Sequence, residues 1–168
     1  MQNSDLLQTF AEIGVAFAGF ASLLGFLGRS PDQIQKIRLV GMVRAALLAT
    51  AFSLVPFVPL ALGASELTSW RIAAGLFLCV SGTNTFFVWR QLYRTWGRGE
   101  LKLRVGYFTI PMAAVHLGLA GAASVSNTAA SSEGLYVASV AGLLSVSGVL
   151  FFGVLTSFVL DLDREPSA

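Results

Sequence analysis

A chain of 168 residues that is 55% hydrophobic and only 12% charged departs from soluble domains, where about a quarter of residues carry charge. Too few polar side chains remain to cover an apolar core, which excludes an ordinary water-soluble enzyme or binding module. The formal net charge of +2 says little by itself; the placement of the charges says more.

The apolar residues gather in runs of about twenty, the length needed to cross roughly 30 Å of hydrocarbon. The sequence therefore predicts an all-α, polytopic integral membrane protein forming a single transmembrane helical domain over 1–168. Five spans are expected, at about 6–27, 39–63, 71–89, 105–127 and 135–160. The N-terminal MQNSD lacks the positive segment of a secretory signal, so the first span is expected to stay in the mature protein.

The first span reads LLQTFAEIGVAFAGFASLLGFLG. At 3.6 residues per turn it divides into three faces. Ala11, Gly14, Ala18, Ala21, Gly25 and Gly28 make a seam of small residues, which permits close approach of another helix. Phe10, Ile13, Phe17, Phe20, Leu24 and Leu27 make a bulky face. The third face carries Glu12 with Gly19 and Ser22, and is expected to turn inward.

Glu12 lies roughly 9 Å below the outer boundary at 1.5 Å per residue, where a charge is costly. No cation of the chain is expected level with it. Pro56 to Pro59 are expected at the same depth, so a protonated Glu12 donating to carbonyls freed by those prolines is one resolution. A wetted cavity and a cluster of copies around an axis are the others. The first span is the expected central or pore-lining helix.

The second span is preceded by Ser30, Pro31 and Asp32, which suit a helix start. Pro56 and Pro59 predict a bend near its far end. In the third span Asn84 needs a partner on another helix, while the neighbouring hydroxyls can bond back to their own backbone. Arg44, just inside the second span, is placed to meet Asp161. The fourth span holds the only histidine, His116, a candidate for a proton path or, less directly, a tetrapyrrole. Cys79, the single cysteine, lies within an apolar run and reads as a packing residue.

Eleven basic residues set the orientation, because Lys and Arg are retained on the cytoplasmic side. Arg29, Lys36, Arg38, Arg44, Arg90, Arg94, Arg98, Lys102, Arg104 and Arg164 fall on one side, and only Arg71 on the other. The N-terminus is thus expected outside and the C-terminus in the cytoplasm, as in a bacterial inner membrane. Trp70 is the expected marker of the outer interface. Arg29, Lys36, Arg38, Arg90, Arg94, Arg98, Lys102 and Arg104 are the expected topology and lipid-headgroup contacts. Asp5, Glu66 and Glu133 fall on the outer side and would favour cations.

These features predict a small self-associating membrane protein that offers ions or protons a polar pathway. Glu12, Gly19, Ser22, Asn84 and His116 are its candidate path residues. The alternatives are a non-conducting accessory subunit of a larger membrane complex and a tetrapyrrole- or quinone-binding protein. No nucleophile elbow, phosphate loop or metal-ligand cluster is present in the sequence. Catalysis, a resident metal or cofactor, and nucleic-acid binding are accordingly not expected; the lipid bilayer and further copies of the chain are.

Overall fold

The structure, a computed structural model, describes residues 3–27, 33–96 and 104–162. All regular elements among them are helices: α1 (Ser4–Leu27), α2 (Gln33–Leu54), α3 (Phe57–Ala61), α4 (Glu66–Trp96), α5 (Arg104–Val125) and α6 (Ala129–Leu162). Four stretches are long and apolar enough to cross a membrane: Ser4–Leu24, Arg38–Ala61, Glu66–Val88 and Ala129–Thr156. The expected fourth span coincides with α5, whose apolar stretch Pro111–Val125 is shorter.

Two helices begin earlier than hydrophobicity alone suggests, because hydroxyl caps start them. Ser65 Oγ accepts from the Thr68 amide at 3.3 Å and pairs with Thr68 Oγ1 at 2.8 Å, the geometry of an N-cap. Thr128 repeats the arrangement, accepting from the Ser131 amide at 3.3 Å. The segments 64–70 and 128–134, expected as connections, are therefore largely first turns of α4 and α6. One consequence is a correction. Trp70 sits in the second turn of α4, fully buried, with its ring 5.6 Å from that of Tyr136; it is a core residue and no interface marker.

The bend expected in the second span is a break. α2 ends at Leu54 and α3 starts at Phe57, since Pro56 has no N–H to give to the Phe52 carbonyl. α3 then ends in a Schellman motif. The Gly63 amide donates to Leu60 O and the Ala64 amide to Pro59 O, both at 3.0 Å. Gly63 supplies the positive φ of 88° that this turn requires, a conformation strained for any residue with a Cβ.

Cross-helix bonds show that successive long helices reverse direction. Thr50 of α2 donates to Ala11 O of α1 at 3.3 Å, and Tyr136 of α6 to Phe52 O of α2 at 2.6 Å. Deeper along the pair, Ser147 of α6 donates to Met42 O at 3.1 Å. Arg71 of α4 reaches the C-terminus of α5. The beginnings of α1, α4 and α6 thus share one end with the finishes of α2 and α5.

The core lies where α2, α4, α5 and α6 converge on Phe52, Trp70, Phe77, Ala120, Ala123, Tyr136 and Val140. α6 packs against α1, α2, α4 and α5 alike. It is the central helix of the chain, and α1, expected in that place, lies at the periphery against α2 and α6. The reason is the distribution of bulk. α6 buries small Ser132, Ser139 and Ser147 alongside Tyr136 and Leu143, so neighbours fit on several sides. α1 has only one small seam to offer.

Candidate functional site

The small seam of α1 meets α2. A methyl group on Gly14 would lie 2.8 Å from the Ala46 carbonyl and closer still to the Thr50 hydroxyl. Here the contact distance itself requires glycine. Ala21 is buried beside it and Ala11 and Ala18 are half-buried; Gly25 continues the helix, and Gly28 lies outside the described residues. The bulky face turns to α6, where the rings of Phe17 and Phe20 stand 5.5 and 5.0 Å from Phe151.

The third face is exposed. Asp5, Gln8, Glu12, Val15, Gly19 and Ser22 all lie on it, and all are exposed in the single chain. Glu12 therefore points away from the bundle, correcting the expectation that it turns inward. The small and bulky faces supply the contacts of α1 with α2 and α6, and the polar face makes none of them. The Gln8 amide donates to Glu12 Oε1 at 3.1 Å, an i, i+4 pair on one helical face. Ser22 Oγ donates to its own Ala18 carbonyl at 2.9 Å. A carboxylate left in hydrocarbon costs about 2.5–3.5 kcal/mol on insertion scales.

The prolines of the second span do not serve Glu12. Tyr136 donates to the carbonyl that Pro56 orphans, that of Phe52, and Val55 O, orphaned by Pro59, accepts from the Val58 amide at 3.2 Å. Level with Ala11 on α2 is Thr50, several residues short of Pro56. The break at Val55 and Pro56 interrupts the rise of 39–63, so Pro56 to Pro59 do not stand at the depth of Glu12.

At the end of the bundle where α1 begins, Glu133 is buried and accepts from the Asn3 amide at 2.8 Å. It holds the start of α1 against α6 and is not a free outer charge, as had been expected. Asp5 and Glu66 are exposed there. Arg71 donates to Ser126 O through Nε at 3.0 Å and Nη2 at 2.6 Å, with Asn127 Oδ1 at 3.4 Å. It closes the C-terminus of α5, where unpaired carbonyls and the helix dipole favour a cation.

His116 is buried between α5 and α6. Its Nδ1 bonds to Met112 O at 2.8 Å; a carbonyl only accepts, so Nδ1 is the donor. Nε2 has no partner among the described residues. The ring stands edge-on to Phe77 with centroids 5.8 Å apart, and a methyl on Gly142 would meet His116 Cβ at 3.0 Å. Asn84 is half-buried on α4, one turn beyond buried Ser81, whose hydroxyl also lacks a partner among the described residues. The structure thus places Glu12, Gly19 and Ser22 together on one outward face, and His116 separately inside the bundle.

Of the basic residues, Lys36, Arg44 and Arg90 are exposed, and Arg38 reaches the Gly153 carbonyl of α6 at 3.4 Å. Arg94 lies in the last turn of α4 and Arg104 opens α5. Arg29, Arg98, Lys102 and Arg164 lie outside the described residues, as does the Ser30, Pro31 and Asp32 cap. The Asp161 side chain, and with it the pairing to Arg44, lies outside them too. Among the described residues no three His, Cys, Asp or Glu side chains gather closely enough to hold a metal. Cys79 is exposed on α4.

Compared with known proteins, the chain matches no family model, no curated protein and no solved structure.

Proposed function

We propose that this chain is a small integral membrane protein that self-associates and offers cations or protons a polar path past the exposed face of α1. The observation that carries the reading is the Gln8–Glu12 pair on a polar face of α1 that its own bundle leaves uncovered. Within hydrocarbon, such a pair calls for water, a cation or another polar group. Copies grouped about an axis supply that, with a ring of carboxylates to select cations.

In this reading α5 is a fifth crossing, the N-terminus is outside and the C-terminus is cytoplasmic, in a bacterial inner membrane. The alternating helix directions favour an odd number of crossings. Arg71, the one basic residue on the outer side, is engaged as the cap of α5, so its position reflects a structural need and not a competing orientation signal. The same uncovered face also suits an accessory subunit docked on a larger complex. The tetrapyrrole or quinone reading rests on His116, and the close approach of Gly142 there works against a flat macrocycle.

The test is reconstitution. A symmetric oligomer in mild detergent, and cation or proton flux in liposomes that falls in Glu12→Gln, are expected. A monomer whose flux matches empty liposomes sinks the proposal, and a stoichiometric foreign partner with no flux favours the accessory reading.

A further inference from the structure

Resting on the self-association proposed above, we infer that the copies meet through α1 itself, parallel and in register, along Asp5, Gln8, Glu12, Val15, Gly19 and Ser22. These positions recur at alternating steps of three and four, the spacing that keeps one stripe facing a partner helix at a shallow left-handed crossing. All six are exposed in the single chain, while the small seam packs on α2 at Gly14 and the bulky face meets α6 at Phe17 and Phe20, leaving Ile13 partly exposed beside the stripe. Among the described residues the stripe is therefore uncovered from Asp5 to Ser22.

The occupant follows from the chemistry of Gln8 and Glu12. Gln8 gives one amide hydrogen to its own Glu12 and keeps a second, together with its carbonyl; Glu12 keeps a second oxygen. Each copy thus carries both donor and acceptor at one level of the helix. Copies inserted the same way and related by rotation about the membrane normal bring these levels together. Gln8 of one copy then donates to Glu12 of the next, and the bonds close into a ring with no second species. A foreign helix would have to supply matching groups at the same depth.

Below the ring the stripe narrows. Outside its own helical turn, no atom of the described residues lies within 4 Å of where a Cβ on Gly19 would stand, so its small size serves no packed neighbour among them. Ser22 is tied back to Ala18 and presents a compact surface. Small residues here let the backbones of adjacent copies approach, while Val15 separates the small segment from the polar ring.

Cysteine crosslinking tests this. In a Cys79→Ala background, Val15→Cys, Gly19→Cys and Ser22→Cys are oxidised in native membranes beside Ile13→Cys and Phe17→Cys. Disulfide-linked pairs of the chain are expected to form several-fold faster at the first three positions. Crosslinking that peaks instead at Leu47→Cys or Leu54→Cys, on the exposed face of α2, overturns the α1 contact while leaving a conducting oligomer intact. An adduct with a different protein at positions 15, 19 and 22 overturns it as well. Gly19→Leu is the second arm: loss of the oligomer with the monomer still folded is expected, and an unchanged oligomer counts against the contact. Loss of flux with α1 crosslinks preserved would instead remove the pathway and leave the contact standing.

Discussion

The Tyr136 hydroxyl donates to the Phe52 carbonyl at 2.6 Å, making the bond that Pro56 cannot make for lack of an N–H. A residue on α6 thus completes the backbone of α2, and both residues lie in the buried core. Tyr136→Phe should lower stability by about 1–3 kcal/mol, the range for an orphaned buried acceptor. In Pro56→Ala, residue 56 regains a donor and the same substitution should cost clearly less. A double-mutant cycle on thermal unfolding in detergent measures the difference; equal losses in both backgrounds would show that the two residues are not coupled.

Gly14 and Gly19 lie on one helix and should answer differently to the same change. Gly14→Ala drives a methyl to 2.8 Å from the Ala46 carbonyl, and the separation of α1 from α2 should cost about 1–3 kcal/mol. Gly19→Ala meets no atom of another described element within 4 Å and should leave the monomer as stable or slightly more so, since alanine favours helix. Unfolding of both variants in a detergent that holds the monomer checks the contrast.

Arg71→Ala removes the donors that close α5 at Ser126. A loss of about 1–3 kcal/mol is expected from orphaned carbonyls, with faster amide exchange confined to the last turn of α5 and the 126–128 connection. Arg71→Lys should recover part of it, because an ammonium reaches the carbonyl without the paired geometry of a guanidinium. Orientation, read by accessibility of tags at either end, should not change, since the proposed orientation rests on the ten other basic residues.

Glu133→Gln preserves an acceptor for the Asn3 amide, so the start of α1 should remain in place. Glu133→Leu removes the acceptor and should fray the first turn, seen as protease cleavage or rapid amide exchange before Leu7. If Glu133→Gln frays the turn as much as Glu133→Leu, the charge and not the hydrogen bond is what holds α1.

Much of this was legible in the sequence, and the limits have physical causes. The small and bulky faces of α1 follow from local periodicity, and each found a partner, α2 for one and α6 for the other. The break at Pro56 follows from a missing N–H. The early starts of α4 and α6 were written in Ser65 and Thr68, and in Thr128 and Ser131, but hydropathy hid them because those turns are polar. What periodicity cannot give is register between helices. Thr50 lies beside Ala11, and Tyr136 reaches Phe52 across 84 positions of sequence, through contacts that no local pattern encodes. The direction of the Glu12 face failed for the same reason. A polar residue in an apolar helix does not reveal whether its own chain or another copy will cover it.

The central place of α6 also bears on how the protein is made. α1, α2, α4 and α5 are synthesised first, yet each packs against α6, and the Phe52 carbonyl and the Asn3 amide wait for Tyr136 and Glu133 on that helix. During synthesis the α1–α2 and α4–α5 pairs can therefore form first, but they stay partly unsatisfied and unjoined until the last helix arrives. Assembly is in this sense postponed to the end of translation. A ribosome stalled before α6 would leave two pre-packed helix pairs whose shared buried surface around Phe52, Trp70 and Phe77 lacks the helix that joins them.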